Sequence, residues 1–216
     1  MKRGLDFEAT PGFVEPAVRA EFPGLRLLWL TVAVNLGTRS PALERRLDAH
    51  ADRYRGAGVV AMRTLPIPHA YRAFFRHVGL DPDVTRIPTE QAAVERLLQG
   101  AFASRDALRD ALLLGLLETG VPVWALDGDR VAPGGLGIRM TAEAEALASG
   151  GALPAGRLVV ADAAHIHAPL FGEVAAAHRP GPRTRRVALF AVGVDGVPSI
   201  HLEEALWVCV EALGPG

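Results

Sequence analysis

The sequence predicts an α+β fold, and three observations carry that reading. Helical patterns cluster in the first half of the chain and short strand patterns in the second, without the regular alternation of βαβ units. Residues 107–127 hold the most apolar helix in the chain, then an abrupt stop and a strand that ends on a carboxylate. Leu108, Ala111, Leu112, Leu113, Leu114, Leu116 and Leu117 leave that helix almost no polar face, so it belongs inside the protein.

Residues 25–36, LRLLWLTVAVNL, form an apolar run after Pro23-Gly24 and read as a central strand buried on both faces. Ser40-Pro41 starts a helix with a capping hydroxyl and a proline at the first helical position. Its thin apolar stripe of Leu43, Leu47 and Tyr54 makes it a surface helix. Pro68 opens the next, with Tyr71, Phe74, Phe75 and Val78 at helical spacing, Gly79 at its end, and His69, Arg72, Arg76 and His77 on the outer faces. Those four read as a solvated face or as one edge of an RNA-contacting surface. Thr89 is the expected cap of a helix that buries Ala93, Val94, Leu97 and Leu98 and stops at Gly100. Ser104 is the expected cap of the apolar helix, which Gly120 and Pro122 close.

Val121 to Leu126 follows as a strand carrying Trp124, with Asp127-Gly128 turning the chain. Further strands are expected over residues 136–140, 157–161, 165–171 and 186–194, with a small helical turn at 141–148. Ser199 is read as capping a last helix on Leu202, Ala205, Leu206, Cys209 and Leu213, which Gly214-Pro215 end.

At 216 residues, with no linker-like stretch, the chain is expected to be a single domain over residues 1–216. A formal net charge of -1 removes any global basicity for nucleic acid, so RNA contact needs a local patch and no DNA partner is expected. One cysteine excludes an internal disulfide framework. The basic opening lacks an apolar signal core and the longest apolar runs are too short for a bilayer. A cytoplasmic protein with no membrane partner is the expectation.

His165 and His167, two apart on an expected strand, face one side, and Glu173 or His178 would be needed to complete a metal site. Ordinary strand histidines are the stronger reading, and no metal or cofactor is expected. Cys209 reads as a core residue. No nucleophile elbow, phosphate loop or dinucleotide fingerprint is present, and Gly134-Gly135-Leu136-Gly137 reads as a turn. The run from His178 to Arg186 is the one local concentration of positive charge, an extended loop whose arginines either grip phosphates or are simply solvated. Just upstream, Gly172-Glu173 puts a carboxylate at a strand end, a fair place for substrate recognition.

Taken together, these segments resemble the tRNA-binding and editing module of the bacterial phenylalanyl-tRNA synthetase beta chain, its B-three/B-four domains, and more closely the free-standing proteins built from that module. Glu118, Gly120, Pro122, Ala125 and Asp127 fall in the places of the family's Glu-x-Gly-Gln-Pro-x-His-Ala-Phe-Asp. Leu158-Val159-Val160-Ala161-Asp162 matches its Leu-Val-Ile-Ala-Asp strand, and Leu170-Phe171-Gly172-Glu173 its Gly-Gly-Glu turn. Thr184, the strand over Val187 to Phe190, the opening Phe22-Pro23-Gly24, Tyr71-Arg72 and the segment from Glu95 to Gly100 continue the similarity, which spans about residues 22–213. The chain departs from the family at Trp124, which stands at its histidine, at Leu112, Leu113 and Leu114, which lie over its Thr-Asn-Tyr, and at Phe171, which replaces the first glycine of its turn.

The resemblance implies a β-sandwich-like mixed-sheet core dressed with helices, and an RNA-binding module that hydrolyses misacylated tRNA in trans without aminoacylating by itself. On that reading Glu173 is the catalytic or selecting carboxylate. Trp124, Asp127, Gly172, His165 and His167 border the substrate, and Arg179, Arg183, Arg185 and Arg186 hold phosphates. The alternatives are a non-catalytic module that binds RNA or protein, and a binder of amino acids or other small molecules that has lost editing.

Overall fold

The computed structural model of the chain describes residues 8–36, 41–52, 54, 56–102, 106–147 and 150–214. Its strands form two four-stranded sheets. In the first, β1 (Thr10–Pro11), β3 (Arg26–Ala33), β8 (Arg186–Gly193) and β4 (Val123–Asp127) lie in that order, all antiparallel. In the second, β2 (Phe13–Val14) pairs parallel with β5 (Gly137–Met140), and β6 (Leu158–Ala161) and β7 (Ile166–Pro169) continue it antiparallel. β8 is the spine of the first sheet, and everything after Arg186 in it is buried, as a strand paired on both edges and covered on both faces requires. Side chains of both sheets, Leu27 and Leu189 from one and Ile138, Val160 and Ala168 from the other, belong to one apolar core. The α+β class expected from the segregated patterns is therefore the class observed.

The helices are α1 (Pro16–Glu21), α2 (Pro41–Ala51), α3 (Gly56–Met62), α4 (Pro66–His77), α5 (Pro88–Gln99), α6 (Ala107–Thr119) and α7 (Ser199–Leu213). As its all-round apolarity demands, α6 is covered on several sides. Leu108 joins the main core, Leu114 and Leu117 pack with Leu43 and Leu47 of α2, and the Cys209 thiol of α7 donates to the Ala111 carbonyl at 3.4 Å. Among the described residues no helix is long and apolar enough to cross a membrane.

Several expectations change. β3 exposes Thr31 and Ala33, so only part of the apolar run is covered on both faces. α4 starts at Pro66, one turn-forming proline earlier than Pro68. Arg72, expected on a solvated face, is buried between Glu90 and Asp83. Thr89 does not cap α5, because Pro88 already occupies the first turn behind an extended Ile87. Leu97 and Leu98 are exposed, since the buried stripe of α5 runs through Thr89, Ala92 and Ala93 and pulls Glu90 in towards Arg72. Ser199 is the first residue of α7 rather than its cap; Pro198 precedes it in extended backbone. Among the described residues 141–147 no helical turn forms. There Ala142 N–H donates to the Glu145 carboxylate, the Thr141 hydroxyl donates to the Pro154 carbonyl, and Ala146 bridges to Ala152. Ser40, Ser104, Ala148 and Pro215 lie outside the described residues.

Candidate functional site

The stretch that closes α6 also fixes one wall of a cleft. Gly120, at φ 75, ends the helix in the left-handed conformation that costs glycine little, and its N–H reaches the Leu116 carbonyl. The Thr119 hydroxyl donates to the Gly115 carbonyl at 2.7 Å and accepts from Val121 N–H at 3.1 Å, so the turn into β4 is pinned from both sides. β4 then sets Trp124 opposite Phe190 of β8, and the two rings stack at 5.5 Å and 13°.

The facing wall is the turn after β7. Gly172 N–H closes it on the Pro169 carbonyl at 2.8 Å, and a Cβ on Gly172 would sit 2.9 Å from the Pro169 ring, so a side chain has no room there. Phe171 takes φ 59, a left-handed backbone unusual for any residue but glycine. Its ring is held by Tyr71, Phe74, Phe75 and Trp124, with centroids 5.3–5.8 Å away. Glu173 follows, pointing outward with 89% of its side chain exposed, and Arg179 grips it at 2.6 Å while bonding the Val174 carbonyl at 2.8 Å.

Between these walls lies a cavity of about 820 Å³, lined by Leu108 and Leu112 of α6, Trp124, Phe171, Gly172, Glu173 and Arg179, with Pro180-Gly181-Pro182 at its edge. Leu108, Leu112, Trp124 and Phe171 give it apolar walls, and the exposed ion pairs Glu173–Arg179 and Asp106–Arg109 add charge to its lining. Such pairs are worth little in water, about 0–1 kcal/mol, so a ligand with its own ammonium or phosphate exchanges for them cheaply. Trp124, Gly172, Glu173 and Arg179, singled out separately in the sequence, thus share one site.

The other singled-out residues are placed elsewhere. Asp127 accepts from the Thr184 hydroxyl at 2.8 Å and from Asp129 N–H at 3.1 Å, tying the end of β4 to the loop before β8. Arg186 pairs with Asp129 at 3.0 Å, while Arg183 and Arg185 are exposed. His165 and His167 do turn to one side, but there they meet His178 rather than the cleft, with centroids 5.0 and 4.6 Å from its ring. His167 is fully buried, with Nε2 2.9 Å from the Asp162 carboxylate and Nδ1 2.8 Å from His178 Nδ1. A carboxylate only accepts, so His167 Nε2 carries the proton and, in the neutral ring, Nδ1 accepts from His178. Burial drives the pKa of both His167 and His178 below the usual histidine value. Burial also pushes Asp162 up, yet the amides of Ala132, Ala164 and His165 together with His167 hold it at about 2. Among the described residues no group of three or more His, Cys, Asp or Glu side chains is arranged to hold a metal ion. Cys209 is core, and burial pushes its thiol up to about 12.

Sequence reasoning did not single out Phe171 as a lining residue of the cleft. The only structural sign is its left-handed backbone, a conformation that ordinarily favours glycine. It also missed Arg86 and Arg157, which line a neighbouring cavity and stand alone in the sequence rather than in a basic run. No family model matches the chain, and no curated protein matches it.

Proposed function

We propose that the cleft receives the aminoacyl end of an RNA, and that its reaction is hydrolysis of misacylated tRNA in trans. The observation that carries this reading is the convergence of Trp124, Gly172, Glu173 and Arg179 on one cavity with an aromatic wall and an ion-paired mouth. Two sheets that share one core, in a mixed α+β chain, lend support to this reading. An aminoacyl ester is activated, so a positioned water suffices and no protein nucleophile is required. The water adds to the ester carbonyl, the acyl–oxygen bond breaks, and the terminal ribose hydroxyl leaves with the proton. Glu173 meets the α-ammonium and orients the water, Trp124 and Phe171 flank the side chain, and Arg179, released from Glu173, turns to phosphate together with Arg183 and Arg185. Selectivity comes from what the apolar walls leave unpaired in a wrong substrate.

The test is purified protein with a panel of mischarged tRNAs, alongside Glu173→Ala. Faster loss of at least one aminoacyl group, slowed in the variant, is expected. Deacylation at the uncatalysed rate across the whole panel sinks the enzymatic reading.

A second reading, a binder of free amino acids or similar small molecules, is favoured by the mouth itself, whose arginines Arg109 and Arg179 already have carboxylate partners. Thermal stabilisation by free amino acids with no response to tRNA selects it. Salt-sensitive RNA binding without turnover selects a non-catalytic RNA module instead.

A further inference from the structure

Behind the aromatic wall lies a second cavity of about 590 Å³. It shares Leu112, Trp124, Phe171 and Gly172 with the cleft, so a single wall serves two chambers. Phe171 stands at the divide, held at φ 59 by rings on several sides. A bulky residue kept in glycine's conformation persists only where its surroundings over-determine it, and here the side chain is what partitions the space.

The second chamber differs from the first in its charges. Arg86 from the segment before α5 and Arg157 just before β6 both line it, and both are exposed. Among the described residues neither guanidinium meets a carboxylate, whereas Arg179, Arg109 and Arg186 are all paired. Glu95, the one carboxylate lining the chamber among the described residues, is engaged by the Gln91 amide at 3.0 Å. Two unpaired guanidiniums beside an apolar and aromatic surface fit a ligand with a flat body and a doubly charged anionic end.

We propose that this chamber binds a nucleoside monophosphate unit, with its base packed against the Trp124–Phe171 wall and its phosphate held by Arg86 and Arg157. Base packing on aromatic side chains tolerates any base, and guanidinium pairs take phosphate oxygens. The unit comes either from a free mononucleotide or from the end of an RNA strand. In the second case an aminoacyl nucleotide spans both chambers along the Leu112, Trp124, Phe171 and Gly172 lining that they share. The inference extends the aminoacyl-pocket reading, but its nucleotide arm does not depend on it.

The experiment measures binding of AMP, adenosine and inorganic phosphate by calorimetry, and of a single-stranded RNA oligonucleotide by fluorescence anisotropy. The full chain is compared with R86Q/R157Q and R86K/R157K. AMP should bind more tightly than adenosine or phosphate, weaken about tenfold or more in the glutamine pair, and recover partly in the lysine pair. Strong RNA binding with the same arginine dependence and weak AMP binding identifies the strand end as the source; the opposite order identifies the free nucleotide. Both arginines face solvent, so the variants should fold, and circular dichroism checks it. AMP and RNA binding that are both absent, or both unchanged in R86Q/R157Q, overturn the proposal. Failure of the deacylation panel, by contrast, removes the role of Glu173 and leaves the AMP result standing.

Discussion

At the scale of single residues, Phe171 sets two familiar preferences against each other. Glycine is normally less stable than alanine in a fixed backbone, because it loses more conformational freedom. At φ 59 the order inverts, since any Cβ crowds the following carbonyl at a cost of about 1–2 kcal/mol. Both Phe171→Ala and Phe171→Gly lose the ring's contacts with Tyr71, Phe74, Phe75 and Trp124, so both should destabilise. The glycine variant should nevertheless be the more stable of the two by about 1 kcal/mol in urea unfolding. Alanine equal to or better than glycine would show that the left-handed backbone carries no strain. The Asp162–His167–His178 chain makes a pH prediction with one sign throughout. The two histidines have folded pKa values below the ordinary one, so the unfolded chain binds more protons as pH drops below about 6.5 and stability falls. Asp162, held at about 2 in the folded protein, adds a second loss of about 2 kcal/mol between about pH 4 and 2. Urea midpoints taken from pH 8 to pH 3 should decline in both windows, and His178→Gln should flatten the upper one. A wild-type profile that is level from pH 7 to 5 contradicts this account.

At the scale of elements, the join between α4 and α5 is electrostatic where the sequence suggested a solvated face. Arg72 donates to both Glu90 oxygens at 2.8 and 3.0 Å and to Asp83 at 2.8 Å, and Glu90 is only 3% exposed. Arg72→Ala leaves the buried Glu90 carboxylate with Arg63 alone, 3.5 Å away, and should cost about 3 kcal/mol, whereas Arg72→Met with Glu90→Leu should recover most of it. If the double variant is as unstable as the single one, the pair contributes attraction rather than mutual neutralisation. The same join shows why elements were legible and their partners were not. Periodicity located α4, α5, α6, α7 and most strands, because apolar spacing is a local property of the chain. Arg72 looked like any outward charge, because the carboxylate that draws it inward lies 18 residues away. Caps failed for a related reason. At α5 Pro88 makes the preceding extended Ile87 the boundary, and at α7 the extended Pro198 is itself the boundary, so these two hold the positions that Thr89 and Ser199 seemed suited to fill. At α6 it is Asp106 that caps, accepting from Arg109 N–H at 2.9 Å. Asp106→Ala should lower stability by about 1 kcal/mol in the same unfolding assay, and no change would mean the helix end is held by packing alone.

At the scale of the whole molecule, the cleft exists because α6 is clamped between α7 and the sheet edge at β4. Half of the candidate site was readable in advance, since Trp124 and the Gly172-Glu173 turn sit at strand ends where short sequence patterns point. The other half was not, because the second chamber is assembled from Arg86, Leu112 and Arg157, which only the tertiary fold brings together. The clamp itself depends on one absent side chain. A Cβ at Gly115 would lie 2.7 Å from the Cys209 sulfur and 3.2 Å from the Ala205 carbonyl of α7, both inside contact distance. Gly115→Ala gains helix propensity, worth about 1 kcal/mol, but overpacks a buried crossing at a cost of about 1–3 kcal/mol. The net effect should be destabilising, and α6 should shift away from α7, carrying Leu108 and Leu112 with it and weakening whatever the cleft binds. Adding Cys209→Ala removes the nearest clashing atom, so the double variant should be less impaired than the sum of the two single changes. A thermodynamic cycle in urea, with ligand binding followed in parallel, separates the possibilities. Strict additivity would mean that α7 yields without cost and that the helix crossing does not set the width of the cleft.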